Sequence, residues 1–199
     1  MLKKMMLLAL SVGALVAFMA PAAQANVQLT DEGEPLASGA DVTATSSNLI
    51  TTLAGGGQLE CEKVTLHLTV GTNGLNHVTL NQDGFATTTN CNINVGIKFK
   101  AVITGGELGH AEGTEVTFDT WGTATTTAHF GADIAALGLA CTDTGLVDVL
   151  ATNGTDIIDV KPSVLTGSGS EGCGNGTIHG EFTLETEDGT PVFVDAVNT

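Results

Sequence analysis

Apolar and polar residues alternate along several short stretches of this chain. In residues 64–70 the even positions are apolar, in residues 97–101 the odd positions are apolar, and residues 178–184 alternate again. Successive side chains of a β-strand point to opposite faces, so this period predicts strands with one buried face. Shorter apolar runs predict further strands at residues 78–80, 116–118, 146–150 and 192–197.

Turn signals separate these stretches, at residues 72–74, 82–84, 105–106, 153–154, 167–176 and 187–189. Asn-Gly and Asp-Gly provide the positive φ that tight hairpins need, so we expect antiparallel pairing. Only residues 132–139 are compatible with a helix, and Gly131 and Gly138 keep that helix short. Threonine, valine and isoleucine are abundant, which predicts an all-β class with sandwich-like packing.

The first 25 residues have the order of a secretory signal peptide. Lys3 and Lys4 precede an apolar run over residues 5–20, and the small residues Ala23 and Ala25 follow it. We expect cleavage after Ala25 and a location outside the cell or at its surface. No later segment has 18 consecutive apolar residues, so we expect a soluble chain without membrane insertion.

Charge narrows the range of partners. Without the first 25 residues the chain has four lysines, no arginine and 22 acidic residues, which is a formal net charge of −18. Phosphate backbones and anionic lipids would repel such a chain, so nucleic acid is not expected as a partner. The acidity favours an exported protein that stays in solution, with calcium binding as a lesser hypothesis.

Two segments eighty residues apart share one spacing. Residues 59–74 and 139–154 both read Leu-x-Cys, ten residues, then Thr-Asn-Gly, and nine of the 32 positions from 43 to 74 are identical after that shift. This predicts an internal duplication into two tandem antiparallel β-sandwich-like units, at residues 43–122 and 123–199, after an N-terminal extension at residues 26–42. Asp148 falls where Leu68 lies, which interrupts the apolar stripe of the second unit. Chance alignment of Thr- and Gly-rich sequence is the alternative.

The four cysteines are Cys61, Cys91, Cys141 and Cys173. An even number in an exported chain predicts two structural disulfides, and four cysteines allow three pairings. If the two units are equivalent, the symmetric choice joins Cys61 to Cys91 and Cys141 to Cys173. Each bridge would then close a loop of about 30 residues and stabilise its unit by roughly 3–4 kcal/mol.

No residues with a recognised catalytic, cofactor-binding or metal-ligating spacing occur, so no such site and no cofactor is predicted. The serines of residues 167–172 are out of register for a Gly-x-Ser-x-Gly nucleophile. Acidic turns at residues 156–159 and 185–188 lack the ligand spacing of a calcium loop. Trp121 is expected to be a buried wedge between the two units. The five histidines are not spaced as metal ligands: His67, His77, His110, His129 and His179.

A family resemblance rests on four features. They are the signal peptide, the Thr-Ala-Thr-Ser-Ser opening at residues 43–47, the Leu-x-Cys before an alternating strand, and the second cysteine some 30 residues later. In these the chain resembles uncharacterised exported two-cysteine β-domain proteins of actinobacterial type. The resemblance implies a secreted or surface-attached β-domain and supplies no catalytic residues.

We therefore expect a secreted or cell-surface, non-enzymatic protein of structural, adhesive or matrix-interaction type. Its β-units would present Thr-rich faces to a cell-surface or matrix partner. The alternative is an exported small-ligand-binding domain, for an apolar compound in the sandwich interior or for Ca²⁺ at the acidic loops. A variant of the first hypothesis has residues 26–40 donate a strand to a neighbouring molecule.

Overall fold

The computed structural model describes residues 26–74, 77–108, 115–118 and 122–197. The predicted signal peptide, His110 and Trp121 lie outside the described residues. The described chain forms seventeen strands and two single-turn 3₁₀ helices, Ala54–Gly56 and Ala135–Leu137. The strands are β1 (Asn26–Asp31), β2 (Glu34–Pro35), β3 (Asp41–Ser46), β4 (Ile50–Thr52), β5 (Gln58–Glu60), β6 (Lys63–Gly74), β7 (His77–Gln82), β8 (Thr87–Thr89), β9 (Asn92–Asn94), β10 (Lys98–Lys100), β11 (Val102–Leu108), β12 (Glu115–Phe118), β13 (Thr123–Ile134), β14 (Leu139–Ala151), β15 (Ile157–Gly169), β16 (Gly176–Thr186) and β17 (Val192–Val197).

The all-β class with antiparallel pairing is confirmed. The alternating stretches of the sequence lie in β6 and β16, and their inward residues are buried, as at Leu66 and Phe182. The run at residues 97–101 is less regular, because Ile97 is exposed at the turn before β10 while Ala101 is buried. The predicted short strands correspond to β7, β12, β14 and β17.

One large sheet contains fourteen of these strands. Its regular part is the series β11, β13, β14, β15 and β16, in which each strand pairs with the next. At β16 the sheet divides into two branches. Residues 177–179 of β16 pair with β4, which leads to β5, β9 and β10, and residues 183–186 pair with β3, which leads to β6, β7 and β12. We call this division the fork.

A second sheet of three strands joins the two ends of the described chain. Strand β1 pairs with β17 from Asn26↔Val197 to Asp31↔Val192, and β2 pairs with the other edge of β1. Asn73 attaches β1 to the large sheet, because its side chain accepts from the Leu29 amide and donates to the carbonyls of Leu29 and Leu36. The N-terminal segment thus pairs within its own chain, whereas the sequence suggested a strand for a neighbour.

The core combines residues from both predicted units. Its main cluster contains Leu66 and Leu80 of the first unit together with Val147 and Leu184 of the second. A smaller cluster around Ile93 and Ile134 lies between the β4–β5–β9 branch and β13. Strand pairing and the hydrophobic core therefore both extend across the predicted boundary between the two units, at residues 122 and 123.

The duplication itself stays a prediction. Both halves contain three neighbouring antiparallel strands, β3–β6–β7 and β13–β14–β15, but the aligned residues of β6 and β14 lie on opposite faces. Leu66 is 4% exposed and Leu146 is 67% exposed. Odd-numbered residues such as Cys141, Val147 and Ala151 are buried along the whole of β14, so Asp148 points outward and interrupts no core stripe.

Three local predictions were wrong. Residues 105–106 form no turn but lie inside β11, which pairs with β13. Gly131 of β13 allows the two strands to approach closely, because a Cβ added at Gly131 would lie 2.6 Å from Thr104 Oγ1. The predicted turn at 167–176 is shorter than expected, because β15 continues to Gly169 and β16 begins at Gly176. The predicted helix at 132–139 is only one 3₁₀ turn, because residues 132–134 continue β13.

Both disulfides of the symmetric pairing are present. Cys61 is bonded to Cys91, 30 residues away, and Cys141 to Cys173, 32 residues away. The first bridge ties the two branches beside the fork, and the second holds the loop after β15 against the start of β14. Two disulfides are consistent with an extracellular location.

Gly180 permits the fork, and this can be tested. Its φ is 152°, and a Cβ would lie 2.8 Å from Leu49 Cα and 2.9 Å from the carbonyl oxygen of Asn48. We expect Gly180→Ala to lower the free energy of unfolding by about 1–3 kcal/mol, since backbone atoms must shift. Chemical denaturation measures this loss. Gly74→Ala is the control, because the nearest atoms to its Cβ are 3.7 and 3.9 Å away; equal stability of the two variants would contradict the prediction.

Candidate interaction surface

The interior of the large sheet is nearly filled. Two cavities of about 40 and 30 Å³ occur there, and Leu66 and Phe182 line both. Pockets for small organic ligands usually measure about 300–1,000 Å³. These two cavities are much smaller than such pockets, so they give no support to an apolar ligand in the sandwich interior.

Threonines form a row across four neighbouring strands of the outer face. The cross-strand partners are Thr183↔Thr45, Thr45↔Thr65 and Thr65↔Thr87, from β16 through β3 and β6 to β8. We call these four residues the threonine row. Directly opposed residues share a face with Cβ atoms about 4.5–5.5 Å apart, so the four side chains form a continuous line. Thr183 and Thr87 are exposed, and Thr45 and Thr65 are half-buried.

The row is flanked by mixed polar groups. On one side lie Glu185, Thr43 and His67, again as direct cross-strand partners. The Thr183 hydroxyl donates to the Thr45 carbonyl at 3.2 Å, and the Thr43 hydroxyl donates to the Glu185 carbonyl at 3.4 Å. These bonds hold β-branched side chains that already have few rotamers, so the orientations of these side chains are restricted.

The other side of the row ends at an open groove in the fork. Three chain segments cross there from one branch to the other, at residues 47–49, 61–62 and 90–91. The groove has a volume of about 370 Å³, and we call it the fork groove. Its lining residues are Ser47, Asn48, Leu49, Ile50, Glu60, Cys61, Glu62, Asn90, Asn92 and Lys98.

Hydrogen bonds fix the polar side chains of the fork groove. Asn90 Nδ2 donates to Glu62 Oε2 at 2.7 Å, and Asn92 Nδ2 donates to the Asn90 carbonyl at 3.1 Å. Lys98 Nζ lies 3.3 Å from Glu60 Oε2. On the opposite wall, Asn48 Oδ1 accepts from the backbone amide of Glu181 at 2.9 Å.

The remaining residues that the sequence singled out lie apart from this groove or have structural roles. Cys61 borders the groove through its disulfide. His67 and His77 are exposed, and the ring of His129 contacts the Thr144 hydroxyl at 3.1 Å. Within the described ranges, no three His, Cys, Asp or Glu side chains cluster closely enough to hold a metal ion.

The acidic turn at residues 185–188 binds its own threonines. Asp188 accepts hydrogen bonds from the hydroxyls of Thr186 and Thr190. These bonds, led by the one from Thr186, lower the pKa of the Asp188 carboxyl. In the other acidic turn, Asp159 forms an ion pair with Lys161.

Asp143 is a buried carboxyl group that pattern analysis did not single out. It lies on β14 opposite Phe130 of β13 and Gly167 of β15, and it is 1% exposed. Within the described part of the chain, neither carboxyl oxygen has a hydrogen-bond partner. Burial therefore raises the pKa of Asp143.

The loop after β15 covers this carboxyl group. A methyl group added at Gly167 would lie 2.1 Å from the Gly174 carbonyl oxygen and 2.5 Å from Asp143 Oδ1. Only glycine leaves room for both oxygens at this position. The loop also contains Cys173, whose disulfide to Cys141 holds it two residues from Asp143 on the same strand.

Comparisons with known proteins give no family. No protein-family model, no curated protein and no solved structure matches this chain. Among the described residues, no helix is long and apolar enough to span a membrane.

The buried Asp143 predicts an unusual pH dependence of stability. Because its folded pKa is raised, its stabilising contribution is complete below the pKa of the unfolded chain and is lost as pH rises through the folded pKa. Asp143→Asn keeps the size and removes the charge. We expect it to raise the free energy of unfolding by about 1–3 kcal/mol near neutral pH, and this gain to vanish in acid.

Denaturation of both proteins at a series of pH values measures the effect. Asp133→Asn is the control, because Asp133 is exposed on β13 and its substitution changes the net charge equally. An equal gain in this control, or a gain for Asp143→Asn that does not depend on pH, would refute the assignment.

Proposed function

We propose that the chain is an exported, non-enzymatic protein of the cell surface or extracellular matrix, cleaved near Ala25, and that the threonine row makes its adhesive contact. The observation that carries the proposal is the alignment of Thr183, Thr45, Thr65 and Thr87 across four strands. The two disulfides support it, because they are typical of chains that leave the reducing cytoplasm.

The chemistry of threonine suits such a contact. Each hydroxyl donates and accepts hydrogen bonds, and each methyl group adds apolar area beside it. The side chain is short and restricted at χ1, so little conformational entropy is lost when a partner surface orders it. A row of such groups matches another polar surface.

The surrounding charge defines the partner further. Glu185 lies beside the row on β16 and the exposed Lys63 lies two residues from Thr65 on β6, while the whole chain has an acidic excess. Anionic surfaces are repelled at moderate ionic strength, whereas neutral surfaces rich in hydroxyl and amide groups are accepted. We therefore assign the row a neutral partner surface.

A double substitution tests the row. Thr45→Val with Thr65→Val removes two hydroxyls and keeps the β-branched shape that strands favour. We expect beads coated with this variant to detach from cellulose and gelatin films at several-fold lower shear than beads coated with the parent protein, because the film loses hydrogen-bond partners.

The matched control is Thr144→Val with Thr166→Val. These residues are also direct cross-strand partners and both are exposed, but they lie on β14 and β15 away from the row. Equal detachment for all three proteins, or equal weakening in both variants, would reject the row as the adhesive surface.

A further inference from the structure

The fork groove offers hydrogen-bonding groups that its own bonds do not use. Among the described residues, no hydrogen bond occupies Oδ1 of Asn90 or Asn92, or Oε1 of Glu62. The Lys98 ammonium group forms one ion pair, with Glu60, and has two further N–H donors. The groove thus presents acceptors beside a donor, and its lining also includes the apolar side chains of Leu49 and Ile50 and the disulfide-bonded Cys61.

These groups are arranged before any ligand arrives. The Asn90–Glu62 bond, the Asn92 bond to the Asn90 carbonyl and the Cys61–Cys91 disulfide connect two of the crossing segments. Asn48 fixes the third segment to β16. Binding to pre-ordered side chains loses less entropy, which matters most for a small polar ligand.

Charge decides which polar ligand fits. Glu60, Glu62 and Glu181 border the groove, with Lys98 as the cation among its lining residues. An anionic ligand would be repelled, and a neutral hydroxyl group matches the site because it donates to carboxylate and amide oxygens and accepts from lysine. A ligand with several such hydroxyls on an apolar ring face would also contact the apolar side chains of the lining.

We propose that the fork groove is a binding site for a neutral saccharide. A groove of about 370 Å³ holds about one or two sugar rings, within the usual size range of ligand sites. Asn90, Asn92 and Glu62 accept from the sugar hydroxyls, and Lys98 donates to one. Among the described residues that line the groove none is aromatic, so affinity for a single short saccharide is about millimolar. This site is separate from the threonine row, and it binds whether or not the row is adhesive.

Nuclear magnetic resonance of the disulfide-intact chain from residue 26 onward tests the proposal. The probes are cellobiose, maltose and N,N′-diacetylchitobiose, with digalacturonate as an anionic analogue and CaCl₂ as a cation. We expect at least one neutral disaccharide to shift backbone amide resonances of residues 47–50, 60–62 and 90–92 in a saturable manner. Digalacturonate and Ca²⁺ should leave them unchanged.

A matched pair of variants separates a specific site from a surface effect. Asn92→Ala removes an acceptor inside the groove, and we expect it to weaken binding about five- to tenfold. Asn94→Ala changes the same residue type two positions along β9, next to Lys98 in register but outside the groove lining, and should change affinity less than twofold. Thermal melts confirm that both variants are folded.

Several results would overturn the proposal. They are the absence of shifts with every neutral probe, shifts mapping elsewhere, equal binding of digalacturonate, groove shifts caused by Ca²⁺ instead of sugar, or equal weakening by both variants. Cellulose is itself a polymer of a neutral sugar, so bead adhesion to the gelatin film is the measurement that tests the threonine row separately. Loss of saccharide binding therefore does not remove the adhesive proposal, and loss of adhesion does not remove the saccharide site.

Discussion

The outer face of this protein depends on one constraint, which is that strand β16 shares a single edge between two partners. Residues 177–179 pair with β4 and residues 183–186 pair with β3. The partner chain therefore has to leave the edge of β16 near Gly180, between these two pairings. Leu49 and Asn48 pass directly over that position, and a side chain there would collide with their backbone. Both branches therefore require that β16 and the segment of Asn48 and Leu49 approach closely at a residue without a Cβ atom.

The threonine row and the fork groove are two results of that division. The branch that begins at β3 continues the row in register from Thr183 to Thr87. The other branch turns away, and the segments that pass between the branches deliver Asn48, Glu62 and Asn90 to the space left open. The disulfide between Cys61 and Cys91 keeps two of these segments together. The threonine row and the fork groove therefore lie side by side because β16 changes its strand partner.

Sequence patterns predicted the elements with strong apolar contrast and missed those without it. Strands β6 and β16 alternate large apolar residues with polar ones, so their faces were evident. Strand β13 buries Ala124, Thr126 and Ala128, which are small or polar, so its alternation is not visible as an apolar stripe. Strand β14 has apolar residues on both faces, such as the exposed Leu146 and the buried Val147, so its pattern did not reveal the inward face or the burial of Asp143. The fork groove could not be predicted, because its residues are brought together by pairings that local patterns do not specify.

The contact between β1 and β17 has a consequence for the order of folding. Thr30 donates its hydroxyl to Asp195, a partner 165 positions further along the chain. Contacts between distant positions form slowly, because a long loop must close before they give any stabilisation. The cysteine pairs, 30 and 32 residues apart, can meet much earlier. In a chain made from its N-terminus, the first strand of the described structure is therefore among the last to find its partner, and its open edge is exposed to neighbouring molecules until the final strand arrives.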